Sequence, residues 1–170
     1  MNYATGDIVV HPQHGVARVE GTVSRGKDQT YVELRIEDKS MTVMIPVEAL
    51  DEVGIRRLPT REEVDAILQM LGEDADVSAV WAERNAETRE RLRSTELLQA
   101  SMVIRDLTRH RERSAKPLSA NESGSLQACM DTVASQVALT LGISVEEATE
   151  LILSKVEPMD VDEADDSVRS

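Results

Sequence analysis

Pro59-Thr60-Arg61-Glu62-Glu63-Val64 marks a change of period in this sequence. Thr60 followed three residues later by Glu63 is a capping-box pattern, and Val64, Ile67, Leu68 and Leu71 then recur on one helical face. Beyond a loop around residues 72–77, the spacing predicts a second helix from Ser78 to about Arg93. A third, from about Thr95 to Arg113, turns Leu97, Ala100, Ile104 and Leu107 inward, and Pro117 ends that region. Ser119-Ala120-Asn121-Glu122 is a second capping box, leading into Leu126, Met130, Val133, Val137 and Leu141, with Gly142 closing the helix. Ser144-Val145-Glu146-Glu147 opens a last helix with Val145, Ala148 and Ile152 on its apolar face.

Upstream of Pro59 the period is two. Ile8-Val9-Val10 is a short apolar run. In Tyr31-Val32-Glu33-Leu34-Arg35-Ile36, Val32, Leu34 and Ile36 point inward while Tyr31, Glu33 and Arg35 point outward. Met41, Val43 and Ile45 alternate with Thr42, Met44 and Pro46. Polar loops are expected at residues 24–28 and 37–40. Short strands at this spacing predict a small antiparallel barrel or strongly bent sheet. The fold class is therefore α+β, a β-rich domain over residues 1–57 followed by an all-α domain of about five helices over residues 60–156. Residues 157–170 hold Asp160, Asp162, Glu163, Asp165 and Asp166 with almost nothing to bury, and are expected to form a disordered acidic tail.

Composition narrows the function. Net charge is −13, divided as −2 over residues 1–58, −7 over 59–157 and −4 over 158–170. A free DNA-binding domain normally carries the opposite balance, so any nucleic-acid contact must come from a local basic patch or through a partner that already holds the DNA. Tyr3, Tyr31 and Trp81 are the only aromatic residues, too few for a base-stacking platform. Cys129 stands alone, and no secretory leader or membrane span is visible, which makes a reducing cytoplasm the simplest compartment.

The segment Gly6-Asp7-Ile8-Val9-Val10-His11-Pro12-Gln13-His14-Gly15-Val16 resembles the opening motif of the CarD/CdnL family, a module also found in the transcription-repair coupling factor. The resemblance continues through residues 31–36, 41–46 and Val53-Gly54-Ile55-Arg56. It extends over Trp81 and Arg84, Ile104-Arg105-Asp106-Leu107 and Leu118-Ser119-Ala120-Asn121-Glu122, covering about residues 1–155. It implies a Tudor/SH3-like β-domain that docks on the β subunit of bacterial RNA polymerase. It further implies a helical domain at the upstream edge of the promoter bubble, where a Trp wedges into the DNA minor groove, and Trp81 sits at that position.

The residues set limits on each implied role. Pro46 cannot donate a ladder hydrogen bond, which marks residues 41–46 as an edge strand open to a partner's sheet. Such a strand can equally be an ordinary edge, and where some family members carry an Arg this chain has Thr42 and Met44. Arg25, in the preceding loop, can supply the missing charge. Polymerase contact is thus expected at Arg25, Thr42, Met44 and Pro46.

A lone Trp in a small domain is ordinarily core. Arg84, Asn85 and Thr88, one and two turns on from Trp81, are polar and argue instead that the ring lies near a surface. Trp81 and Arg84 are flanked by Glu83 and Glu87, which repel phosphates, whereas Arg105, Arg109 and Arg113 recur at four-residue spacing as a compensating basic stripe. The competing reading of that stripe is a solvated face paired to Asp106 and Glu112. DNA contact is expected at Trp81, Arg84, Arg105, Arg109 and Arg113.

His11 and His14 lie in a turn with no completing ligand, so no metal or other cofactor is expected. Cys129 reads as core, and no nucleophile–base pair or phosphate loop is apparent. The expected function is that of a non-enzymatic, monomeric transcription regulator. Its expected partners are the polymerase β subunit and promoter DNA within the polymerase complex. A scaffold that keeps polymerase docking but has lost DNA contact is the alternative. An enzyme would need a deep polar pocket lined by groups such as His11 and His14.

Overall fold

A computed structural model of the protein describes residues 3–156, so the acidic segment 157–170 lies outside the described residues. The chain divides into two compact units, with the boundary in the sequence between Pro59 and Thr60.

The first unit is a five-stranded antiparallel sheet in the order β4-β3-β2-β1-β5. Its strands are β1 (Ile8–His11), β2 (Gly15–Arg25), β3 (Gln29–Ile36), β4 (Met41–Pro46) and β5 (Arg56–Arg57), with a short helix α1 (Leu50–Val53) before the last. Val9, Val19, Val32, Leu34, Ile36 and Ile45 bury one face of the sheet together with Leu50 and Ile55. This is the small antiparallel sheet that the alternating runs predicted, in the Tudor/SH3-like arrangement that the family resemblance implied. β2, the longest strand, has no clean alternation in sequence because its register shifts between Val19 and Gly21. The extra residue, Glu20, transfers Val23 and Arg25 to the outer face. The expected polar loop at 24–28 is correspondingly shorter: Ser24 and Arg25 belong to β2 and pair with Thr30 and Gln29. β4 lies at the sheet edge, as Pro46 required.

Among the described residues the second unit holds five helices: α2 (Arg61–Leu71), α3 (Trp81–Arg93), α4 (Leu97–Arg113), α5 (Ala120–Leu141) and α6 (Val145–Val156). Both bonds of the Thr60–Glu63 and Ser119–Glu122 capping boxes are made. In the Ser144–Glu147 box, Ser144 Oγ accepts the Glu147 N–H at 3.0 Å. Gly142 ends α5 at φ 69°, a left-handed turn that glycine enters without steric penalty. The core joins Val64, Ile67 and Leu71 of α2, Val103, Ile104 and Leu107 of α4, Val133 and Val137 of α5, and Ile152 of α6.

Helix α3 is different. Its buried residues are Arg84 and Thr88, so polar groups rather than an apolar stripe hold it to the unit. Arg91 of α3 donates to Asp106 of α4, and Asp106 also accepts from Arg105 Nε at 2.9 Å. Among the described residues no single helix is long and apolar enough to cross a membrane.

Candidate functional site

Trp81 is the first residue of α3, and its side chain is about half exposed (50%), as is the preceding Val80. The polar character of Arg84, Asn85 and Thr88 predicts a ring near a surface. The structure reaches the same placement by another route. Arg84 and Thr88 are buried, whereas Trp81, at the first position of the helix, is half exposed.

The ring is tethered. Trp81 Nε1 donates to Ser119 Oγ at 3.3 Å. Ser119 is the N-cap of α5, and the same Oγ accepts the Glu122 N–H at 3.2 Å. The Glu122 carboxylate accepts the Ser119 N–H through Oε2 at 2.9 Å and Arg84 Nε through Oε1 at 2.5 Å. Arg84 also donates to the carbonyls of Ser78 and Ala79, fixing the backbone that leads into Trp81. Burial pushes the Glu122 carboxyl upward, but the hydrogen bonds from Arg84 and Ser119 outweigh that and hold its pKa below the usual 4.5. Glu122 and Arg84 are thus a buried ion pair supported by further hydrogen bonds, from the Ser119 N–H to Glu122 and from Arg84 to two carbonyls, the condition under which such a pair persists.

This corrects the reading of Arg84 as a DNA contact. It is 7% exposed, and its guanidinium is committed to Glu122 and two carbonyls. The basic stripe is corrected in the same way. Arg105 and Arg109 are 6% and 5% exposed, because α4 turns that face toward the C-terminal ends of neighbouring helices. Arg105 donates to the carbonyl and the sulfur of Met70. Arg109 donates to the carbonyls of Leu71 and Glu73 at the end of α2 and of Val156 at the end of α6. The last carbonyls of a helix have no intrahelical donor and carry the negative end of its dipole, so a cation there is both a cap and a counter-charge. Only Arg113 of the three lies exposed, with Asp74 4.0 Å away.

The expected docking residues lie on or beside the exposed edge of the first unit. Thr42, Met44 and Pro46 share the outer face of β4, opposite Arg35, Glu33 and Tyr31 of β3. Beyond Tyr31 the row continues to Val23 of β2. Arg25 ends β2 on the same face, opposite Gln29, and the Tyr31 hydroxyl donates to Gln29 Oε1 at 2.8 Å. The structure therefore collects Arg25, Met44 and Pro46 on one surface, with Thr42 toward the other end of β4.

Sequence reasoning recognised Ser119 and Glu122 only as a cap. Their ties to Trp81 and Arg84 span 38 residues, a separation that no local pattern records. His11 Nδ1 accepts the backbone N–H groups of Gln13 and His14, which makes it part of the β1–β2 turn. No group of three His, Cys, Asp or Glu side chains able to hold a metal ion occurs among the described residues.

Residues 3–59 match the CarD-like/TRCF RID domain, and residues 64–153 match the CarD C-terminal domain. The chain is 25% identical over 146 residues to the Bacillus subtilis (strain 168) protein named "Putative transcription factor YdeB", spanning 84% of this chain and 94% of that protein. Two family domains in this order, over the β unit and the helical unit just described, leave one conclusion: the chain belongs to the CarD family of transcription regulators.

Proposed function

We propose that this regulator binds the β subunit of bacterial RNA polymerase through the β4 edge and stabilises the promoter open complex by inserting Trp81 at the upstream edge of the bubble. The observation that carries the reading is the half-exposed Trp81 ring, held at a helix start by the Ser119 hydroxyl instead of being buried in the core. An apolar wedge between base steps is a physical route to unstacked DNA. It shifts the equilibrium toward the open state to the extent that it binds melted DNA better than closed duplex.

The docking half rests on the geometry of β4. An edge strand offers unpaired N–H and C=O groups to a partner's sheet, and Arg25 lies on the same outer face to meet an acidic partner. DNA contact depends on that docking. With net charge −13 and with Arg84, Arg105 and Arg109 turned inward, the cations left at the surface are outnumbered by carboxylates that repel phosphates, which opposes duplex binding by counterion release.

Trp81→Ala tests the proposal. The ring is half exposed and makes one hydrogen bond, so its removal should cost about 1–2 kcal/mol of stability, not the 3–5 kcal/mol of a core Trp. Open-complex half-life should fall by about tenfold for each 1.4 kcal/mol of wedge energy lost. A second reading, a polymerase-bound scaffold without DNA contact, draws on the burial of the three arginines. Unchanged open-complex decay in Trp81→Ala, with polymerase capture intact, would select it.

A further inference from the structure

The wedge reading leaves open what sets the orientation of the ring. Three linked side chains lead to it, two of them outside the expected DNA surface and the third, Arg84, withdrawn from that surface by burial. Ser119 Oγ lies 3.3 Å from Trp81 Nε1, and Glu122 holds Ser119 twice, its Oε2 accepting the Ser119 N–H and its own N–H donating to Ser119 Oγ. Arg84, one turn beyond Trp81 on α3, ties Glu122 to the carbonyls that precede the ring. We propose that Ser119, Glu122 and Arg84 are positioning residues for Trp81, locking the start of α3 to the start of α5 so that the indole is presented in one orientation.

Such a lock would act by preorganisation. A half-exposed aromatic side chain on the first turn of a helix ordinarily samples several rotamers, and binding must then bear the cost of ordering it. A hydroxyl acceptor that is itself fixed by a capping box removes that freedom beforehand. α3 contributes no buried apolar residue of its own, so its register against α5 depends on the buried Arg84–Glu122 pair. A polar link of this kind specifies one arrangement, where an apolar face would tolerate sliding.

This inference rests on the proposed role of Trp81, but its test has an arm that does not. Trp81 is the only tryptophan, so its fluorescence reports on the site without labelling. In the full chain, Ser119→Gly removes the acceptor while glycine remains an acceptable N-cap, and Ser119→Thr restores a hydroxyl. Glu122→Gln keeps a side chain able to complete the capping box but discharges the Arg84 partner.

The expected result for Ser119→Gly is faster local depolarisation and stronger acrylamide quenching of Trp81 in the free protein, with a several-fold shorter open-complex half-life and a near-normal thermal transition. Ser119→Thr should return all three toward wild type, and Glu122→Gln should loosen the ring in the same sense. Wild-type anisotropy decay and quenching in both Ser119→Gly and Glu122→Gln would overturn the inference, whatever polymerase does. A loosened ring with unchanged open-complex lifetime, under conditions where Trp81→Ala shortens that lifetime, would overturn it as well. If Trp81→Ala itself has no effect on lifetime, the wedge reading fails, and the fluorescence arm alone decides whether these residues position the ring.

Discussion

Replacing Arg109 by alanine distinguishes a helix-capping arginine from a DNA-facing one. Arg109 donates to the carbonyls of Leu71, Glu73 and Val156. Glu73 is exposed and water can take over there, but Leu71 and Val156 belong to buried residues. Stripping the donor from a buried acceptor costs about 1–3 kcal/mol, so two such carbonyls together with the lost packing of the arginine stem bring the expected loss to about 3–5 kcal/mol. For a helical unit of this size, each kcal/mol corresponds to about 4–8 °C, which puts the melting transition of Arg109→Ala more than about 10 °C below wild type. Arg113→Ala is the matched control on the same helix. That side chain is largely exposed, and its removal should stay within about 0.5 kcal/mol. Thermal unfolding followed by far-UV circular dichroism reads both. If Arg109→Ala melted with wild type while weakening promoter retention, the arginine would be a solvent-facing phosphate contact and the capping assignment would be refuted.

Pro46→Arg combined with Arg25→Glu should reduce polymerase capture in a pull-down, since a bulky charge obstructs pairing at the β4 end and a reversed charge repels an acidic partner; full capture would move the docking surface elsewhere. Burial, the neighbouring His14 and Lys39 hold the His11 imidazole below its ordinary 6.5. A depressed folded value means that the stability contributed by neutral His11 is complete above pH 6.5 and drains away as pH falls through the folded value, where protonating Nδ1 would break the turn bonds from Gln13 and His14. A His11 proton NMR titration midpoint at or above 6.5 would contradict that. Burial pushes the Cys129 thiol up to about 11, so alkylation at neutral pH should be slow in the native protein and track unfolding in denaturant; rapid native labelling would place Cys129 at a surface.

By itself the sequence determined the order of elements and most of their limits. The switch of period at Pro59, the three capping boxes and Gly142 are local signals, and local hydrogen bonds and turn geometry enforce them wherever the chain lies. The family was legible for the same reason, because its motifs are ordered runs of neighbouring residues. Strand β2 was not legible, since one extra residue at Glu20 reverses its inside–outside pattern midway.

Tertiary structure alone decided which arginines meet solvent. Four-residue spacing says that Arg105, Arg109 and Arg113 share a helical face, but not what that face meets. The carbonyl ends of α2 and α6 arrive from segments 35 or more residues away and accept the first two. Trp81 shows the same division: polar neighbours correctly placed the ring near a surface, yet Arg84 and Thr88 lie inside, and Arg84 is paired to Glu122, 38 residues distant. A buried cation and a solvated one obey the same helical period, and only the three-dimensional position of their partners separates them.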